Sequence, residues 1–86
     1  MTYAIKFKAS VTKDLRCLGR QEGQRVLTHI YENLAKNPRL GIPLKGDKNK
    51  LWRYRVGDYR VVYSFSDSEL WILVVHIAHR KDVYRD

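Results

Sequence analysis

Hydrophobic and polar positions alternate with period two near both ends of this chain, and recur at helical spacing between them. Tyr3 to Lys8 reads as a short strand, with Tyr3, Ile5 and Phe7 on one side and Lys6 and Lys8 on the other. Ser10 is placed to cap a helix running to about Leu18, whose buried stripe is Val11, Leu15 and Leu18, with Gly19 ending it. Val26, Leu27, Ile30, Tyr31 and Leu34 then fall at helical spacing, which predicts a second helix from about Glu22 to Lys36, stopped by Asn37-Pro38. Arg39 to Lys50, punctuated by Pro43, Gly46 and Asp47, is expected to be a loop. Three strands follow as a meander, about Trp52 to Val56, Tyr59 to Ser66 and Glu69 to His79, with the second turn at Asp67-Ser68. The length of that turn matters, because a slip of one residue flips the faces of the last strand. The pattern predicts one domain over residues 1–86 with an α+β fold, in the order β-α-α-β-β-β. A mainly antiparallel, twisted sheet would carry the N-terminal helical hairpin on one face.

Gly57-Asp58, between two runs rich in aromatic and β-branched residues, is a strong two-residue hairpin signal. With that turn, Val56 pairs with Tyr59, Arg55 pairs with Arg60, and Arg53 lies on the same face opposite Val62. Trp52, Tyr54, Val61 and Tyr63 take the other face, which is the expected core side under the helices. Like charges directly opposite one another on a sheet are unfavourable, and a phosphate is the natural compensating group.

The 86 residues suffice for a single modest core, and 44% hydrophobic with 30% charged content is ordinary for a folded chain. The longest apolar stretch, Leu70 to Ala78, is a strand's length and too short to span a bilayer as a helix. Met1 to Lys8 carries no apolar signal-peptide core. Cys17 is the sole cysteine, which excludes an internal disulfide and a cysteine-based metal site. A reduced, cytoplasmic setting with no membrane association is the expectation, and Cys17, near the apolar stripe of the first helix, is expected to be a buried inert thiol. The net charge of +8 favours polyanionic partners: nucleic acid, a ribosomal surface, or an acidic protein covering the basic face. His29, His76 and His79 lack metal-ligand spacing, and no phosphate-binding glycine loop, nucleophile elbow or paired-acid arrangement is present. No cofactor is expected. His76, inside an apolar strand, reads as a structural histidine with a satisfied ring, and His29 as a helix-surface residue.

The C-terminal run His79-Arg80-Lys81-Asp82-Val83-Tyr84 brings an imidazole, a guanidinium and a phenol together where the last strand runs out. Those groups suit metal-independent RNA cleavage, in which a ribose 2′-hydroxyl attacks the adjacent 3′-phosphate. Arginines stabilise the extra charge on phosphorus, a histidine can serve as acid or base, and an aromatic ring can stack on an unpaired base.

The same residues meet a known pattern. The Pro43-Leu44-Lys45-Gly46 loop, the hairpin LWRYRVGDYRVVY and the ending HRKDVY, in this order and at these spacings, resemble the RelE-type toxins of the RelE/ParE toxin–antitoxin superfamily. The resemblance runs from Tyr3 to Tyr84. It implies a small RelE-like, microbial-RNase-like domain that enters the ribosomal A site and cuts the mRNA codon there, leaving a 2′,3′-cyclic phosphate and a 5′-hydroxyl. It also implies a cognate antitoxin, RelB-like or of another family, that blocks the toxin and brings the pair to operator DNA. Position by position, Arg60 matches the family's phosphate-holding arginine, Arg80 the arginine beside the scissile phosphate, and Tyr84 the base-stacking tyrosine. Arg53 and Arg55 fall where well-studied members carry two lysines, one of them proposed as general base. A guanidinium titrates only above about pH 12 and is a poor proton acceptor. Either the arginines act electrostatically or His79 takes over the acid–base work. Lys45 is a lesser candidate, since its loop motif can be structural. Two alternatives share the fold: a ParE-like inhibitor of DNA gyrase, and a catalytically inactive relative that only binds RNA or antitoxin.

Overall fold

The computed structural model describes residues 2–46 and 50–79. Strand β1 (Ala4–Phe7) leads into helices α1 (Ser10–Leu18) and α2 (Arg20–His29), and four further strands follow: β2 (Ile42–Pro43), β3 (Trp52–Val56), β4 (Tyr59–Ser66) and β5 (Trp71–His79). They form one mixed sheet in the order β1-β5-β4-β3-β2, antiparallel except that β1 runs parallel to β5. The predicted α+β class and the helical hairpin on one sheet face are both present.

Gly19 ends α1 with φ of 86°, a backbone state in which glycine carries no steric cost. Ser10, expected as the cap, is instead the first helical residue: Ala9 occupies the cap position without a side-chain bond. The second helix begins at Arg20 rather than Glu22 and changes character before its end. Ile30–Leu34 forms a π turn, closed by the Ala35 N–H donating to the Ile30 carbonyl at 2.9 Å. Ile30 and Leu34 are both fully buried. Asn37 then caps a 3₁₀ turn at Pro38–Leu40, its side chain accepting from the Arg39 N–H. The segment from Arg39 expected to be a plain loop thus holds part of a 3₁₀ turn and an edge strand.

The core lies between the helices and the sheet. Val26, Ile30 and Leu34 meet Val61, Tyr63 and Ile77, all at 2% exposure or less. Trp52 and Tyr54 pack against this cluster from the same sheet face, as expected. Beyond Phe7, where β1 no longer covers β5, Asp14 of α1 takes over the strand edge. Its Oδ2 accepts from the Ile77 N–H at 3.1 Å and lies 2.9 Å from His76 Nδ1. His76 is therefore a satisfied structural histidine, and a carboxylate covers an edge group that would otherwise lack a protein partner.

Tyr63, in the middle of β4, joins the core to the segment that precedes β2. Its ring is fully buried, and its hydroxyl donates to the Pro38 carbonyl at 2.5 Å and accepts from the Gly41 N–H at 3.2 Å. Burial pushes its phenol up to about 12. Replacing Tyr63 with Phe strands both backbone groups and is expected to cost about 1–3 kcal/mol in urea unfolding. The phenol of the unfolded chain ionises near its ordinary value of about 10. The native state therefore holds a proton that the unfolded state releases, and its stability falls as pH rises from about 10 toward about 12. Tyr63→Phe should lack that part of the alkaline loss when wild type and variant are compared at matched pH.

Candidate anion-binding site

The β3–β4 hairpin turns at Gly57-Asp58, and Gly57 alone of the two has positive φ, 57°, the glycine-first arrangement that suits two-residue hairpins. The register is the predicted one: Val56 opposite Tyr59, Arg55 opposite Arg60, Arg53 opposite Val62. Arg53, Arg55 and Arg60 consequently share the face turned away from the helices. They line one side of an open concavity of about 380 Å³, whose other side is Leu40, Gly41 and Ile42. Three guanidiniums on adjoining strands supply fixed, permanently charged donor forks suited to phosphate oxygens.

The wall opposite the arginines escaped the sequence reading. Ile42 pairs with Arg53 across β2 and β3, so the two side chains share a face. A Cβ on Gly41 would stand 2.3 Å from the Arg53 carbonyl oxygen and 2.5 Å from the Tyr63 hydroxyl, so no larger residue fits without displacing the wall. Arg39, one residue before Leu40, bridges to Asp67 in the β4–β5 turn through both guanidinium nitrogens and lies over the Phe65 ring at 5.2 Å from its centre. Tyr3 also donates to Asp67 at 2.5 Å. The hydrogen bonds from Arg39 and then Tyr3 hold the Asp67 carboxyl below its ordinary range. The available signal was the alternation of Leu40, Ile42 and Leu44, three apolar residues two apart.

His79 does not join the arginines. Strand β4 meets β5 with a bulge: Tyr63 pairs with Val74 but Val62 with His76, leaving Val75 as the extra residue. The bulge switches the parity of β5, so Ile77 enters the core and His79 lands opposite Tyr59, on the helix side. Its ring meets the Tyr59 ring edge-on at 5.2 Å between centres. Of the two readings of the arginine substitutions, the one in which His79 takes the acid–base work finds it on the opposite sheet face from Arg53, Arg55 and Arg60, through a one-residue change of register. Cys17 is exposed rather than buried. Lys45 is exposed and is not among the residues lining the concavity. Arg80 and Tyr84 lie outside the described residues, among which no cluster of His, Cys, Asp and Glu has the geometry to hold a metal ion.

The model of the ParE toxin family, from the parDE type II toxin–antitoxin system, matches residues 5–84. Toxin RelE of Mycobacterium tuberculosis is 36% identical over 84 residues, spanning 96% of this chain and 87% of that protein. The chain belongs to the RelE/ParE family of type II toxins. Its fold is that of solved RelE proteins. The toxin–antitoxin complex RelBE2 of M. tuberculosis gives a TM-score of 0.85 at 25% identity over 95% of both chains. The archaeal RelE–RelB complex of Pyrococcus horikoshii gives 0.68 at 31% identity, covering 96% of this toxin and all of that chain.

Arg55 is exposed and faces Arg60 directly, and like charges on facing positions of a sheet are unfavourable. Arg55→Thr is expected to raise stability by about 0.2–1 kcal/mol in urea unfolding. It should also weaken binding of single-stranded RNA and flatten the slope of log K against log salt by about 0.7. Loss of stability in this variant would contradict the electrostatic reading of the pair.

Proposed function

We propose that this toxin is a ribosome-dependent, metal-independent mRNA endoribonuclease that cuts codons in the A site and thereby stops translation. The observation that carries the reading is the convergence of Arg53, Arg55 and Arg60 on one concavity of a RelE-type fold. In the reaction, the 2′-hydroxyl oxygen forms a bond to the adjacent phosphorus and the bond from phosphorus to the 5′-oxygen breaks. A proton leaves the attacking hydroxyl and one is gained by the departing oxygen, giving a 2′,3′-cyclic phosphate and a 5′-hydroxyl. Arg60, half-buried on the central strand, grips the phosphate, while Arg53 and Arg55 neutralise charge that builds on its oxygens. Arg80 acts beside the leaving oxygen and Tyr84 stacks on the target base; both roles rest on the match of their sequence to the family pattern. Arginine side chains transfer protons poorly at neutral pH, so the share of catalysis given to the described face is electrostatic. The attack is intramolecular within the RNA strand, and holding the 2′-hydroxyl in line with the leaving oxygen falls largely to the ribosome.

Complexes with RelB among the similar structures support a cognate antitoxin as partner, and the charge of +8 supports one with an acidic segment that folds over basic and apolar surface. Operator DNA would be reached through that antitoxin. Both the ribosome and the message place the site of action in the cytoplasm, and no helix among the described residues is long and apolar enough to cross a membrane.

In a purified translation system the toxin is expected to cut the message at codon positions. Arg60→Ala and Arg80→Ala should each lower the cleavage rate by about 100- to 1000-fold, the scale for removing one donor from a developing anion. An intact message at saturating toxin would overturn the reading. The ParE description of the matching family model favours a second one, inhibition of DNA gyrase. Blocked supercoiling with unaffected translation is the result that would select it.

A further inference from the structure

Among the described residues, three large apolar side chains are exposed: Leu40 at 49%, Ile42 at 57% and Tyr31 at 51%. Tyr31 belongs to the π turn and meets the Phe7 ring. The other two stand together on the wall that faces the arginines. Isolated apolar residues on a surface need no explanation, but an adjacent pair beside three cations in one concavity is a different matter.

The wall is also held firmly for so exposed a feature. Tyr63 binds the backbone on either side of Leu40, at Pro38 and Gly41, and Arg39 is anchored to Asp67. Gly41 packs against the Arg53 carbonyl with no room for a Cβ, and Ile42 is a ladder partner of Arg53. Cross-strand neighbours of this kind have Cβ atoms about 5 Å apart. An apolar surface that shares one concavity with a guanidinium cluster complements a nucleotide: charge for its phosphate, aliphatic surface for one face of its base.

We infer that Leu40 and Ile42 form a nucleobase subsite of the arginine concavity, which receives the base of a single-stranded nucleotide whose phosphate lies on Arg53, Arg55 and Arg60. The inference rests on the proposed RNA substrate and adds to it a base contact on β2 and the 3₁₀ turn. Aliphatic side chains offer no hydrogen-bond donors or acceptors, so this contact strengthens binding without reading base identity. The competing occupant is an apolar side chain of the antitoxin.

The test is binding rather than cleavage, so its outcome is separate from that of the endonuclease assay. Affinity is measured by fluorescence anisotropy for a short single-stranded oligonucleotide with deoxyribose at the cleavable position, and for the same backbone with one abasic position. Wild-type toxin is expected to prefer the base-containing strand by about five- to tenfold, the scale for covering one face of a base with aliphatic surface. Leu40→Ser/Ile42→Ser, at exposed positions, should bring the ratio close to one, whereas Arg55→Ala should weaken both strands and leave the ratio unchanged. Single replacements Leu40→Ala and Ile42→Ala, checked by circular dichroism, guard against loss of the edge strand and should each lower the ratio part-way. An unchanged ratio in the double variant overturns the inference, as does failure of wild type to bind either strand. Loss of antitoxin affinity with the ratio retained assigns the pair to the antitoxin and overturns it equally.

Discussion

The parity of two strands governs this molecule. Gly57 turns β3 back on β4 after Val56, and from that residue onward every side chain of the hairpin is committed to one face or the other. Val56, Val61 and Tyr63 become core, and complete burial of a side chain of this size contributes about 1.5–3 kcal/mol. Opposed to that stands the repulsion between Arg55 and Arg60, about 0.2–1 kcal/mol for like charges on facing positions. Burial wins, so the chain accepts a cluster of guanidiniums on the outer face. The arginine-lined concavity follows from building the core.

Tyr63 carries the same constraint to the other wall. Its ring belongs to the core and its hydroxyl reaches the backbone at Pro38 and Gly41, so the segment that closes the concavity is positioned from inside the protein. Gly41 makes this possible by its size. Its φ of −81° is open to any residue, and what it supplies is the space for the Arg53 carbonyl and the Tyr63 hydroxyl. Core and site therefore share a side chain. Changes at Tyr63 would be felt in both.

The bulge at Val75 separates two kinds of chemistry that lie close in sequence. Without it, continuing from Tyr63 opposite Val74, His79 would fall on the arginine face; with it, Ile77 enters the core and His79 turns to the helix side beside Tyr59. The described concavity is lined by Leu40, Gly41, Ile42, Tyr54 and the three arginines, with neither a histidine nor a carboxylate among them. This part of the face is thus suited to holding and stabilising charge.

Much of this was written in local patterns. Alternation and the Gly57-Asp58 pair specified the hairpin register, and with it the sharing of one face by Arg53, Arg55 and Arg60, because a two-residue turn leaves one way to pair its flanks. Helical spacing gave the hairpin of α1 and α2, since a stripe of apolar residues has to be buried. Three features went beyond such patterns. Strand β2 exists because Ile42 and Pro43 find β3, and two residues carry too little alternation to announce a strand. The π turn is not announced by spacing, since Ile30 and Leu34, four residues apart, would share a buried face in a regular α-helix as well. The face of His79 was set by the bulge, whose trace in the sequence is only a three-residue step from Val74 to Ile77 where a regular strand would take two. Local rules fix which residues are neighbours along an element, while the competition among elements for one core fixes which way each finally points.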